Sequence, residues 1–264
     1  ADENWRPFTT FKTLPNLNWT DRNLRFVDLT GDGRADILIV DENTFTWYSS
    51  AGEDWYEPGE TVRHALDEEK GPRLVFADET ESSFLADMSA DGLNDLVRVR
   101  NGEIAYWPNL GYGRFGAKIS MDNAPLFDAP DQFDQRRIRM ADIDGSGLAD
   151  VVYLERGGIK LFFNQSGNSW SAGQSLAAFP VVDNLSSVSV LDLLGTGTSC
   201  IVWSSPLPGR AFPAMRYVDL MASQKPHLLV GVINNLGAEV RARYAPSTKF
   251  YLADKFAGHP WVTK

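Results

Sequence analysis

Three stretches of this sequence place oxygen-bearing side chains at the same alternate positions. Asp28, Thr30, Asp32 and Asp36 stand at positions 1, 3, 5 and 9 of a loop whose sixth residue is Gly33. Asp87, Ser89, Asp91 and Asp95 repeat the pattern around Gly92, and Asp142, Asp144, Ser146 and Asp150 repeat it around Gly147. A hard cation such as Ca2+ takes about six to eight oxygens, which a tightly wrapped loop supplies from alternate side chains and a position-7 carbonyl. Those carbonyls belong to Arg34, Leu93 and Leu148. A helix-flanked calcium loop also needs a glutamate at position 12, where this chain has Ile39, Arg98 and Tyr153, so the loops run into strands. A fourth copy, opening at Asp192, keeps Gly197 but has Leu194, Thr196 and Cys200 at the other ligand positions. It is expected to keep the turn without an ion. The competing reading makes the carboxylates caps for backbone N–H groups in Asx-type turns. Three anionic side chains in one loop repel unless neutralised, which favours the cation. The expectation is up to three structural Ca2+ sites, strongest in the first loop, then the second, then the third. No histidine or open ligand set accompanies them, so the ions would staple the fold and not catalyse.

The elements that must position these loops repeat with them. FVDLTGDGRADILIV from Phe26, LADMSADGLNDLVRV from Leu85, MADIDGSGLADVVYL from Met140 and VLDLLGTGTSCIVWS from Val190 share one template, with first aspartates 59, 55 and 50 residues apart. That period suits a blade of four short strands. Twelve residues after the last loop aspartate comes an aromatic (Tyr48, Trp107, Phe162), and two further on comes Ser50, Asn109 or Asn164. Between loop and aromatic the residues read as strand, turn, strand, with Asn101-Gly102 and Gly157-Gly158 as hairpin turns in which both central residues can take positive φ. RFGAKISM from Arg114 suits an outer strand. The reading is an all-β chain: a β-propeller, or a segment of one, over 1–220, followed by a β-hairpin extension over 221–264 that leads to a following domain. In the extension two strands flank the turn Asn234-Asn235-Leu236-Gly237. No helical periodicity exceeds a turn or two, except for a short piece in TVRHALDEEK from Thr61.

Composition narrows the function. Lys+Arg 25 against Asp+Glu 35 gives a net charge of -10, which disfavours a nucleic-acid partner. Cys200 is the single cysteine, so intrachain disulfides and multi-cysteine zinc sites are excluded. No apolar run reaches the length of a membrane span. His64, His227 and His259 are far apart, and a Ser/His/Asp triad has no support beyond their presence. Asp54, Glu60, Asp78, Glu79, Glu81 and Asp183 are free of the loops, but nothing singles out a hydrolytic pair among them. The run Asp67-Glu68-Glu69-Lys70 reads as a solvated loop or helix end. Trp47, Tyr48, Tyr106, Trp107, Phe162 and Phe163 could stack on sugar rings, the basis of a glycan-binding alternative, but their repetition favours packing.

The loops resemble the FG-GAP or VCBS repeat of integrin α-chain propellers and bacterial surface proteins. NLRFVDLTGDGRADILI, NGEIAYWPNLGYGRFG and above all KPHLLVGVINNLGAEVRARYAPSTKFYLADKFAGHPWVTK resemble the B component of the bacterial insecticidal toxin complexes. The resemblance implies a propeller that is part of a much larger protein, which with the C component forms a hollow shell around a cytotoxic polypeptide. It also implies that the propeller docks on the pore-forming A component and gates release of the toxin. Secretion, protein subunits as partners, and absence of catalysis follow from the same resemblance. Four loop copies are present and the RHS-type repeats of the family are not, so the chain is expected to be an excised part of such a component.

Overall fold

The computed structural model describes residues 9–52, 55–73, 76, 82–155, 157–176, 179–183, 185–207, 215–259 and 261. The chain parts into two compact units, residues 1–135 and 136–264.

The first unit holds two antiparallel four-stranded meanders. One runs β1 (Leu24–Val27), β2 (Asp36–Val40), β3 (Thr44–Tyr48) and β4 (Glu60–Arg63) in sequence order; the other runs β5 (Ser82–Ala86), β6 (Asp95–Arg100), β7 (Glu103–Trp107) and β8 (Ile119–Ser120). The second strand of each sheet is nearly all buried, as its unbroken apolar run requires, and the outermost strands are exposed. Val27, Leu29, Leu38, Val40, Phe45, Trp47, Leu96 and Trp107 form one core. At the β6–β7 turn Gly102 alone takes positive φ (84°). Asn101 does not take the left-handed conformation expected of it. Its side chain instead donates to the Asp128 carbonyl and accepts from the Phe127 N–H.

The second unit holds a sheet ordered β14-β11-β10-β9, from β9 (Ile138–Ala141), β10 (Asp150–Leu154), β11 (Ile159–Phe162) and β14 (Gln174–Leu176). The small hairpin β12 (Asn164–Gln165) and β13 (Ser169–Trp170) interrupts it. A three-stranded sheet follows: β15 (Ser187–Leu191), β16 (Cys200–Ser204) and β17 (Met215–Asp219). One core gathers residues of both sheets: Ile143, Val152, Leu154, Ile159, Leu161, Val188, Ile201 and Trp203.

The extension contains the expected hairpin, β18 (Gly231–Ile233) and β19 (Glu239–Arg241), around a turn in which Asn234 Oδ1 accepts from Leu236 and Ala238 and Gly237 has φ 84°. It also contains a helix that the sequence reading does not anticipate, α1 (Ser247–Phe256). Pro246 precedes it in an extended conformation, and Gly258 ends it at φ 80°. None of its residues is buried, so no apolar stripe marks it in the sequence. The helical piece considered at Thr61 is absent: Thr61–Arg63 belong to β4, and residues 66–70 form a bend followed by a turn. Among the described residues no helix is long and apolar enough to cross a membrane.

Candidate metal-binding loops

Each acidic loop joins the first two strands of its sheet, and the strand register is the same in all four. The residue before the first aspartate pairs with position 9: Val27 with Asp36, Ala86 with Asp95, Ala141 with Asp150, Leu191 with Cys200. The residue after position 9 pairs with the aromatic twelve on: Ile37 with Tyr48, Leu96 with Trp107, Val151 with Phe162. The twelve-residue spacing is thus the length of a hairpin.

The first aspartate wraps the loop around itself. Asp28 accepts from Gly31 and Gly33, Asp87 from Ala90 and Gly92, and Asp142 from Gly145 and Gly147, all at 2.7–2.9 Å. In the fourth copy Asp192 accepts from Thr196 and Gly197, so the turn survives there. Two residues per loop take the left-handed conformation. Position 6 is Gly throughout (Gly33, Gly92, Gly147, Gly197), and position 4 is Gly31, Ala90, Gly145 or Gly195, with φ between 62° and 80°. The position-4 requirement escapes a ligand-based reading, although glycine stands there in three of four copies. Burial opposes ionisation of Asp28, but the N–H groups of Gly33, Gly31, Thr30 and Asp32 outweigh it and hold the carboxyl below its ordinary value.

Position 9 stitches strands together. Asp36 accepts from the Leu29 and Ser50 N–H groups, Asp95 from Met88 and Asn109, and Asp150 from Ile143 and Asn164, at 2.7–3.0 Å and with one bond to each carboxylate oxygen. This explains the polar residue fourteen on. Its backbone caps the buried aspartate, while the Asn109 and Asn164 side chains donate to the Asn94 and Ala149 carbonyls just before that aspartate. All three carboxylates are buried. Burial, reinforced by the facing loop aspartates, raises the pKa of Asp36, takes Asp95 to about 6 and takes Asp150 to about 7.

The carboxylates thus cap backbone N–H groups, and an ion would have to share oxygens that already accept them. A carboxylate oxygen has a second lone pair, so the donor set still fits a hard cation. Asp142, Asp144 and Asp150 bring one ligand atom each within 4.8 Å of one another, the only such trio of acidic, histidine or cysteine groups among the described residues. The aspartates of the first two loops do not converge as tightly. Position 5 is more open: Asp32 and Asp91 accept from the N–H of Arg34 and Leu93, and Ser146 Oγ from that of Leu148. Of the position-3 residues, Thr30 Oγ1 turns back to Asp28, Ser89 is exposed, and Asp144 meets a residue the sequence does not connect with it. That residue is His227, whose Nε2 lies 2.9 Å from Asp144 Oδ2. A separation of 83 residues leaves no sequence signal for the pair. Burial opposes ionisation of Asp144, but bonds from Ser146 and His227 lower its pKa. Here the aspartate lies between serine and histidine, not the order of a nucleophilic triad.

Other side chains are used structurally. Trp47, Tyr106, Trp107 and Phe162 are buried, leaving few of the repeated aromatics to meet a sugar. Backbone packs closely on two of the repeated aromatics: a Cβ on Gly59 would fall 2.5 Å from the Tyr48 ring, and one on Gly173 would fall 2.8 Å from that of Phe162. The acidic run at Asp67 is no mere solvated loop. Glu68 pairs with the buried Arg98 at 2.9 Å and with Lys118 at 3.0 Å, and its carbonyl accepts from Trp107 Nε1. These partners lower the Glu68 pKa to about 2. Glu60 and Asp183 lie in different units, and Asp54, Asp78, Glu79 and Glu81 fall outside the described residues.

The fold and loops define an all-β chain of repeated antiparallel sheets, each opened by an aspartate-wrapped turn. Residues 171–264 match the family described as the insecticide toxin TcdB middle/N-terminal region. Over 96% of its length the chain is similar, at 26% identity and a TM-score of 0.79, to a chain of the Photorhabdus luminescens Tc holotoxin pore. The fold also matches that of the TcdB2–TccC3–Cdc42 complex, at 21% identity and a TM-score of 0.62 over 89% of the chain. An Agrocybe aegerita lectin that recognises non-reducing terminal N-acetylglucosamine shares the fold over 67% of the chain, at 21% identity and a TM-score of 0.52. The chain spans 11% of the holotoxin chain and 16% of the TcdB2–TccC3 chain. No curated protein matches it.

Proposed function

We propose that this chain is a non-catalytic scaffold and docking module of a secreted bacterial toxin complex. In this reading its sheets are blades of a β-propeller of the FG-GAP type, its partners are other subunits of the complex, and it docks on the pore-forming component and helps to gate toxin release. The observation that carries the reading is the likeness to the Tc holotoxin pore over 96% of the chain. The identical loop register in four successive sheets supports the blade arrangement, since each sheet presents its acidic turn at the same corner. Such a module works by rigid presentation: buried aspartates and interlocked aromatics fix the strands, and the loops between them form the recognition surface.

We further propose that Ca2+ binds the first three loops through Asp28, Asp32, Asp36, Asp87, Asp91, Asp95, Asp142, Asp144 and Asp150, helped by Thr30, Ser89, Ser146 and the carbonyls of Arg34, Leu93 and Leu148. The convergence of Asp142, Asp144 and Asp150, with one ligand atom each within 4.8 Å of one another, supports it, because that negative charge would repel unless neutralised. The cation would supply that compensation and no reaction step.

Two measurements test the proposal. The purified chain binds the immobilised pore-forming component of a Tc complex saturably; absence of saturation at about 100 μM folded chain, a weaker affinity than about 5 kcal/mol of binding energy provides, refutes docking by this segment. Excess calcium raises the melting temperature above that in EGTA, as any ligand specific for the folded state must, and an unchanged melt refutes the metal assignment.

A further inference from the structure

The segment from Ala222 to His227 crosses the third and fourth loops within the second unit. Three of its residues, Ala222, Ser223 and His227, hold φ of 49°, 57° and 62°, a conformation L residues adopt only at a cost. Something must hold the segment in place. Ser223 Oγ donates to Asp219 Oδ2 at 2.6 Å where the segment begins. At its far end the largely exposed His227 ring donates from Nε2 to Asp144, whose side chain is only 16% exposed. Between them the Lys225 stem lies along the loops: a Cβ on Gly145 would fall 2.8 Å from Lys225 Cε, and one on Gly197 would fall 3.5 Å from its Cδ. The first loop differs at the equivalent position, since a Cβ on Gly31 would meet only the apolar Leu93 Cδ2, at 3.2 Å, and no basic side chain. Thus the loop with the tightest trio of carboxylates is the one over which the chain lays a lysine and a histidine.

We propose that Ala222–His227 is a strap fastened to the third loop through His227, and that it competes with a divalent cation for Asp144. The strap and the ion share one acceptor, so each weakens the other, and by linkage the effect is reciprocal. The third loop then binds cation more weakly than the first two, and cation binding there loosens the strap. The competition rests on the calcium assignment above; the strap's hold on the loop does not.

The test compares the full chain with its Lys225→Met/His227→Ala variant, both altered positions being exposed. CaCl2 is titrated by calorimetry at a fixed pH of about 7.5, and amide hydrogen exchange is followed in EGTA and in calcium. The expected result is that one site of three tightens at least about 5-fold in the variant while the others keep their affinity. In the unaltered chain, calcium is expected to speed exchange across residues 222–230. Identical isotherms overturn the competition. Should neither protein take up calcium, the metal assignment fails and exchange in EGTA decides the strap alone. Faster exchange at Gly145, Ser146 and Gly147 in the variant upholds it, and unchanged exchange there overturns it.

Discussion

Asp95→Ala separates the stitching role of the position-9 aspartates from any metal role. Asp95 is fully buried, and its two oxygens accept from the Met88 N–H at 3.0 Å and the Asn109 N–H at 2.8 Å. Truncation strands both donors, at about 1–3 kcal/mol each for a buried unsatisfied group. The loss is offset in part because a buried anion facing Asp91 and Asp87 also disappears. A net destabilisation of about 2–4 kcal/mol remains. In a unit of 135 residues, at roughly 2.1 cal/mol/K of unfolding entropy per residue, this corresponds to a fall of about 7–14 °C in Tm. Asp91→Ala is the control: that exposed carboxylate accepts from the Leu93 N–H, and its loss in EGTA is expected below about 1 kcal/mol. Differential scanning calorimetry in EGTA reads both. In excess calcium both variants also forfeit the stabilisation contributed by an ion in the second loop, so the Asp91→Ala deficit grows there while Asp95→Ala stays the more damaging. Equal melting temperatures for the two variants in EGTA would refute the claim that position 9 holds the sheet independently of metal.

Two further outcomes follow from the same geometry. At position 4, Ala90→Gly relieves a left-handed alanine (φ 62°) and raises stability by about 0.5–1 kcal/mol, whereas Gly145→Ala puts a Cβ 2.7 Å from the Gly197 carbonyl and costs more than about 2 kcal/mol, both read by urea denaturation. Stability depends on pH with two signs. Asp95 and Asp150 have folded pKa values raised to about 6 and about 7, so without metal their contribution is complete below about pH 4 and is lost as pH rises through 6 and 7. Glu68, lowered to about 2, contributes above about pH 4.5 and loses its contribution as pH falls towards 2. Thermal melts in EGTA should therefore show a maximum near pH 5, and a profile rising steadily to pH 8 contradicts the assignment.

What the sequence makes legible is whatever repeats. The template gives the loop, the strand after it and the hairpin to the aromatic because its spacings are fixed by register, as the pairing of Leu96 with Trp107 shows. The residue fourteen on is visible as a pattern but not as a mechanism. Its backbone N–H closes on the buried aspartate, a role no side-chain preference announces. Features made once are illegible. Helix α1 buries none of its residues, so no 3.6-residue period betrays it. Glu68 is one of four consecutive charges, and nothing local distinguishes the carboxylate that reaches Arg98 on β6 from its solvated neighbours. His227 meets Asp144 through a segment held at positive φ by residues other than glycine, a geometry that sequence preference argues against.

The fourth copy shows which part of the template is indispensable. Cys200 stands where the other copies carry a buried aspartate, and its sulfur, approached by the Leu193 and Leu194 N–H groups, is only a weak acceptor beside a carboxylate. Yet Leu191 pairs with Cys200 in the register of the other sheets, and Asp192 still binds the Gly197 N–H at 2.8 Å. The position-1 aspartate and the left-handed turn are therefore sufficient to set the register, while the position-9 aspartate adds a tie to the third strand. In the fourth copy neighbouring chain supplies ties instead. Thr248 Oγ1 donates to the Gly195 carbonyl at 2.8 Å, and Ser199 is hydrogen-bonded to the Asp142 carbonyl of the preceding loop. One turn is thus compatible with three kinds of support: a buried carboxylate, side chains reaching in from the extension and the neighbouring loop, and, in the proposal above, a cation. The loop most invested in contacts with the rest of the chain is then the one that should depend on calcium least.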